Sequence, residues 1–351
     1  MAVRRPRVLT TRELNRAVLA RQGLLDRFGT SLPRVLERVG GIQAQYAPSM
    51  YIGLWSRMTG LERGALTRAL ERRTVVQATL MRSTIHLVSA RDFWPFADAV
   101  RGPRREWWQR VTRPRPTDAE MAAAAEALRD APADGPLRRA EVEDLLGRPA
   151  ARAVGMWIDL VRAPPSGTWE RRRADLYASA EDWVSPPGGG EAERAAAGAE
   201  RLVRRYLTAF GPAARADIAR WAGVPLATIA PAVERLTLRR FASEDGDELV
   251  DVPRGPLPPA GTAAPVRFLP TWDATLLVHA RRALILPEEH RPRIFHTKNP
   301  QSVPTFLVDG AVAGTWRYDA GRIDLEPFHR LDRATTRALR EEAERLAAFH
   351  A

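Results

Sequence analysis

Three times along this chain, apolar residues at helical spacing give way to a pair of short β-rich runs. A helix repeats its buried face every three to four residues and a strand every two. A chain that alternates in this way folds as helices closed by a hairpin, repeated. In the first cycle Thr10 or Thr11 caps a helix through Leu14, Val18 and Leu19. A second, after Ser31, carries Leu32, Val35, Leu36 and Val39 and ends at Gly40-Gly41. Met50, Ile52, Leu54 and Trp55 mark a third, and 61–70 a fourth. Residues 75–80 and 85–89 flank Met81-Arg82-Ser83-Thr84 as a hairpin. In the second cycle, helices are expected over 118–128, 136–146 and 149–161, with 169–177 as the matching hairpin. The Pro/Gly-rich run 185–190 reads as a linker. In the third, helices over 195–210, 213–222 and 225–236 precede β-rich runs at 238–241 and 248–252 around Asp245-Gly246-Asp247. From Val266 onward the chain is strand-rich, with runs at 266–269, 275–279, 305–308 and 312–318, and 331–349 closes it as an amphipathic helix.

Helices followed by a hairpin is the order of a winged helix, which places a helix in the DNA major groove and its hairpin on the backbone or minor groove. The sequence therefore predicts a mainly α fold with β-hairpins (α+β). Three tandem winged helix-turn-helix modules are expected at 1–116, 117–187 and 191–255, with a strand-rich region at 262–351. A small helical bundle would share the helix spacing of any one cycle.

The stretch Gly40-Gly41-Ile42-Gln43-Ala44-Gln45-Tyr46 stands apart from this periodicity. Residues i and i+2 diverge on a helix but share a face of an extended segment. The glycine pair loosens the backbone and Pro48 biases Ala47 away from helix, so both amides can converge on one spot. Neither ionises, and each offers an acceptor oxygen and a two-donor nitrogen. Such a pair can hold a water or read a base edge; it cannot act as a strong general base. The local alternative is two polar residues in a helix–helix turn.

The net charge is +12, unevenly placed. Residues 1–116 hold 22 arginines against 8 acidic residues, a net +14, while the rest holds 32 basic and 34 acidic residues, a net −2. A basic segment of this kind favours a polyanion, most simply nucleic acid. Lys298 is the only lysine. A compositional drift to arginine explains that choice but not the shortage of acids before residue 116. The absence of cysteine excludes disulfides, thiolate metal sites and a cysteine nucleophile. No apolar run reaches the ~20 residues of a membrane span, and the start lacks a secretory signal, so a cytoplasmic protein is expected. There is no phosphate-binding loop or dinucleotide fingerprint. The six histidines show no metal-ligand spacing, so neither metal nor cofactor is expected.

The run Leu36 to Pro48 resembles the signature of the bacterial AlkZ-like DNA glycosylases, and Arg82-Ser83-Thr84-Ile85-His86-Leu87-Val88 resembles that family's next most recognisable segment. The resemblance extends to Phe268-Leu269-Pro270-Thr271-Trp272-Asp273. It implies three tandem winged helices forming a C-shaped basic channel for duplex DNA. It also implies excision of bulky N-alkylated purines, with interstrand crosslinks unhooked in some members, and a Gln-x-Gln catalytic pair, here Gln43 and Gln45. Other members carry Gln-x-Asp. The Gln-x-Gln form points to the antibiotic-resistance branch and away from a carboxylate mechanism. A channel hairpin is placed around Lys298 and Asn299. On this reading Arg57, Arg72, Arg73, Arg82, His86, His296, Lys298 and Asn299 are the candidate DNA contacts, and the partner of a monomeric protein is double-stranded DNA bearing alkylpurine adducts.

Neutral amides suit that chemistry. A purine alkylated at N7 or N3 is cationic and already a good leaving group. The protein need mainly hold a water against an oxocarbenium-like sugar, a proximity effect worth several kcal/mol. No lyase step is expected, because a Schiff base needs an amine and Lys298 is the only side chain that offers one. A second function class remains compatible with the modules: a non-enzymatic winged-helix regulator, which requires tight sequence-specific binding instead of turnover. A protein that sequesters adducts without cutting is a third.

Overall fold

A computed structural model of the chain describes residues 6–113, 115–131, 135–295 and 302–351. Strand β1 (Arg7–Leu9) leads into α1 (Thr11–Arg21), where Thr10 and Glu13 exchange hydrogen bonds in a capping box. Helix α2 (Leu32–Val39) carries Pro33 in its first turn and stops at Gly40 in the left-handed conformation. Then come β2 (Ile42–Gln43), α3 (Ala47–Arg57), α4 (Arg63–Glu71) and the hairpin β3 (Val75–Thr79) with β4 (Ile85–Ser89). Helix α5 (Ala90–Val111) has no counterpart in the sequence reading, because Pro95 and Pro103 interrupt its pattern. It forms because Ser89 caps it through the Asp92 N–H and because Phe93, Phe96, Ala97 and Val100 bury one of its faces.

The second cycle departs furthest from expectation. Helices α6 (Asp118–Arg129), α7 (Arg139–Leu146) and α8 (Arg148–Ala153), with the short strand β5 (Leu137–Arg138), match their periodicity. The helix expected over 149–161 ends early, and β6 (Leu160–Arg162) takes its last residues. Val161 is fully buried opposite Ala78, and that long-range pairing overrides the local helical spacing. The expected 169–177 hairpin is a loop apart from the start of β7 (Leu176–Ser179), which α9 (Ala180–Trp183) follows. Helices α10 (Glu191–Phe210), α11 (Arg215–Ala222) and α12 (Leu226–Arg235) precede the hairpin β8 (Arg239–Ser243) and β9 (Glu248–Asp251).

The C-terminal region contains β10 (Arg267–Leu269), α13 (Arg291–Ile294), β11 (Thr305–Val308), β12 (Ala311–Asp319), β13 (Arg322–Pro327) and α14 (Arg333–His350). The strand expected over 275–279 is a pair of tight turns instead. The Asp273 carboxylate accepts from the Thr275 N–H and hydroxyl, a local bond that competes with a sheet ladder.

Among the described residues the strands form three sheets, in the orders β1-β8-β9, β10-β11-β12-β13 and β2-β4-β3-β6-β7-β5. The six-stranded sheet runs past the expected boundary at residue 116 through the Ala78–Val161 pair. One of its faces (Val76, Ala78, Val88, Val161) belongs to the main core with α5, α10, α11 and α12. The other (Val75, Leu87) packs on α2, α3 and α4. Phe96, Tyr206, Phe210 and Trp221 meet in that main core, each apolar side chain contributing about 1.5–3 kcal/mol by burial.

Candidate active site

The glycine pair sets the path of the amide motif. Gly40 and Gly41 have φ of 77° and 79°, a region glycine enters without strain. A Cβ on Gly41 would lie 3.0 Å from the Leu87 carbonyl oxygen. The chain therefore turns sharply off α2 and runs antiparallel against β4, with Ile42 opposite Leu87 and Gln43 opposite His86. The Ala44 N–H bonds to the Ile85 carbonyl, Gln45 sits in a bend, and Pro48 opens α3. Gln43 is 5% exposed and Gln45 is on the surface. Their amides touch: Gln43 Nε2 donates to Gln45 Oε1 at 2.5 Å.

Arg82, at the tip of the β3–β4 hairpin, fixes the polarity of that pair. Its Nη2 donates to Gln43 Oε1 at 3.0 Å, and its Nη1 donates to the Trp221 carbonyl. A guanidinium only donates, so the Gln43 oxygen must face it and the Gln43 nitrogen must face Gln45. The direction runs from Arg82 through Gln43 to Gln45, and the Gln45 amide nitrogen keeps its donors free among the described residues. Arg82 holds an unusual φ of 53° against the α11–α12 turn, where a Cβ on Gly223 would lie 2.6 Å from Arg82 Cα. The hairpin tip is thus clamped by a helix pair more than a hundred residues away in sequence.

His86 completes the cluster. It is 2% exposed, with Nδ1 3.0 Å from the Thr84 carbonyl oxygen and Nε2 3.3 Å from Arg82. The carbonyl requires a proton on Nδ1, so Nε2 accepts from Arg82 and the ring is neutral. Burial, and then the Arg82 charge, pull its pKa down to about 3, against a smaller upward pull from the Thr84 carbonyl. Burial lowers Arg82 to about 10, where it is still charged at neutral pH. Among the described residues no carboxylate bonds either amide. The site offers a polarised, non-titrating donor–acceptor chain.

The other sequence candidates divide. Arg57 is not a surface residue: it is 2% exposed and forms a two-armed pair with Asp273, both bonds at 2.9 Å. Arg82, half-buried, and His86, buried, both face the amide pair. Arg72 is exposed at the end of α4. Arg73 is exposed but engaged, donating to the Asp182 carbonyl and lying 4.1 Å over the Trp183 ring. His296, Lys298 and Asn299, with the hairpin placed there, lie outside the described residues.

Sequence reasoning missed Gln77, whose Nε2 donates to the Ala44 carbonyl between the two glutamines. A lone amide in the apolar run Val75 to Leu80 was the available signal. It also missed Arg172, which donates to the hydroxyl of exposed Tyr46 beside Gln45 at 3.3 Å. Glu289, His290 and His329 come close enough to share a cation, the two histidine nitrogens 3.3 Å apart, although their spacing in sequence gives no hint of it.

The N-terminal charge excess is partly internal. Arg16 pairs with Asp309, Arg21 with Asp251, Arg27 with Glu342, Arg57 with Asp273 and Arg101 with Asp159. Each of these acids lies beyond residue 116.

A family model described as DNA glycosylase AlkZ-like matches residues 36–349. A curated relative, the interstrand DNA cross-link repair glycosylase of Streptomyces sahachiroi, is 23% identical over 367 aligned residues, covering 94% of this chain and 93% of the relative. The solved structure of Streptomyces sahachiroi DNA glycosylase AlkZ superposes with a TM-score of 0.75 at 19% identity, covering 98% of this chain and 97% of that one. The two chains share a fold.

Proposed function

This chain belongs to the AlkZ-like family of DNA glycosylases, enzymes that act on N-glycosyl bonds, and from that premise we propose that it hydrolyses the glycosidic bond of bulky cationic N-alkylpurines in duplex DNA. Gln43 and Gln45 are the catalytic pair. The observation that carries this reading is the contact between the two amides, with its direction imposed by Arg82.

An N7-alkylated guanine is positively charged. As its bond to C1′ lengthens, the bonding electrons pass to the purine and neutralise it, while the sugar becomes oxocarbenium-like. Water then adds to C1′, and its surplus proton passes to bulk solvent. Because the leaving group needs no proton, a general acid is not required, and a neutral acceptor suffices to orient the water. Gln45 is exposed and contacts the lesion strand and the water. Gln43 lies behind it, locked by Arg82, and holds Gln45 in one orientation. Hydrogen bonds in a chain polarise one another, which here strengthens the outer donor, the Gln45 amide N–H, while the second lone pair of Gln45 Oε1 is left to accept from the water. Positioning of this kind is worth several kcal/mol.

The curated relative is named for interstrand cross-link repair, and its coverage along both chains supports crosslinks, as well as monoadducts, as substrates here. Self-resistance to a DNA-alkylating natural product is the matching physiological role. The helices and hairpins of the three cycles are read as winged-helix modules lining a basic DNA channel. The regulator alternative loses its ground with the family assignment. In the deciding experiment, purified protein is incubated with N7-alkylguanine duplex DNA and scored for released base and alkali-labile abasic sites. The expected result is release without a borohydride-trapped covalent complex; intact adduct after long incubation refutes the proposal.

A further inference from the structure

Beside the amide pair, on the same face of the six-stranded sheet, lies a cavity of about 260 Å³, against the ~30 Å³ that one water occupies in the liquid. Gln43 is paired with His86 and His86 with Ala78, and Ala78 lines the cavity. At about 4.8 Å per strand, the near wall is about 10 Å from Gln43.

The lining is strongly basic. It includes Arg104, Arg139, Arg152 and Arg162, and its only carboxylate among the described residues is Asp159. Arg101 already holds Asp159 through bonds of 3.0 and 2.5 Å. Glu143 pairs with Arg139. Arg104 and Arg162 have no acidic partner among the described residues. Arg104 is 4% exposed and donates to the Thr79 and Gly155 carbonyls, yet its Nε–H finds no acceptor. Arg162 donates to the Thr79 hydroxyl at 2.8 Å and lies over the Tyr177 ring, and its Nε–H is also unpartnered. Burial pulls the Arg104 pKa down to about 10, against an upward pull from the Asp159 charge and with smaller repulsion from Arg162 and Arg101. Two guanidinium groups, Arg104 buried and Arg162 half-buried, with no carboxylate bonded to either among the described residues, are costly to hold there. Their planar donor sets match the oxygens of a phosphate.

We propose that this cavity is a phosphate site in which Arg104 and Arg162 are the donors, with exposed Arg152 beside them, and that it takes a backbone phosphodiester of the lesion-bearing strand. With a rise of about 3.4 Å per nucleotide, 10 Å places that phosphate within about three nucleotides of the reacting one. The phosphate chemistry stands on the cavity alone; the DNA source rests on the glycosylase reading.

The test compares full-length wild type with Arg162→Gln, and with the exposed Arg152→Gln should the first variant not fold. In one arm, inorganic phosphate is titrated against chloride at equal ionic strength, and it raises the wild-type Tm more than the variant's. In the other, lesion duplexes carry a single neutral methylphosphonate at each linkage within three nucleotides of the adduct. The wild type loses about tenfold or more in affinity at one linkage, and the variant is indifferent to that substitution. A phosphate-dependent Tm without any linkage effect overturns the DNA source and leaves a site for free phosphate. Neither effect overturns the site. Base release by the wild type, read on the unmodified duplex, is scored separately: release with both arms silent removes the cavity proposal alone, while a phosphate response without release removes only the glycosylase reading.

Discussion

Because Gln43 and Gln45 touch, their removal should not add. Truncating one positioned polar group at a reaction centre typically costs ~10²–10³ in rate, or about 2.7–4 kcal/mol. If the two amides acted independently, Gln43→Ala/Gln45→Ala would lose the product of the single effects, ~10⁴–10⁶. The geometry predicts otherwise. Gln43 is nearly buried and reaches the substrate through Gln45, to which its nitrogen is bonded at 2.5 Å. Once either member is gone the other has nothing to orient, so the double variant should fall within about tenfold of the worse single. The two singles differ in stability. Gln43→Ala deprives the Arg82 guanidinium of an acceptor in a largely buried setting, a loss of about 1–3 kcal/mol. Gln45→Ala, on the surface, should stay within about 0.5 kcal/mol of wild type. The assay is single-turnover base release at saturating enzyme, with DNA affinity from anisotropy and stability from urea denaturation. Multiplicative rate losses, or wild-type release by Gln45→Ala, would refute the coupled-pair reasoning.

Other expectations follow from buried charge. Arg57→Met strands Asp273 in the interior and should cost about 3–5 kcal/mol in urea denaturation while leaving the salt dependence of DNA binding unchanged; a flatter salt slope would return Arg57 to the DNA surface. His86 and His279 are both held neutral, chiefly by burial: His86 at about 3, His279 well below the ordinary value of 6.5. The unfolded chain protonates both below about pH 6.5 and the folded chain does not. The stability they contribute is thus present above that pH and lost as pH falls toward 3, at up to about 1.4 kcal/mol per pH unit for each. Denaturation at stepped pH checks this: His279→Phe should flatten the acid limb, and an unchanged limb would contradict it. Base release should be level from pH 5 to 9, since Arg82 at about 10 and His86 at about 3 both lie outside that range; a bell-shaped profile would require a titrating group other than these two.

The sequence on its own determined what depends on near neighbours. Capping at Thr10, the helix stop at Gly40, the hairpin around Met81 to Thr84 and the extended Ile42-Gln43 step after the glycine pair are set by residues within a few positions of one another. The family signature lies in those same local segments. Only the tertiary structure decided the matters that depend on distant partners. Val161 became a strand because Ala78 lay opposite, and Arg57 was withdrawn from the surface because Asp273, 216 positions later, came within reach. The direction of the amide pair depends on a guanidinium clamped by the α11–α12 turn. A charge count along the chain could not separate an arginine that faces DNA from one neutralised by an acid two hundred residues away. Coulomb attraction acts through space, and the separation along the chain does not fix the separation in the fold.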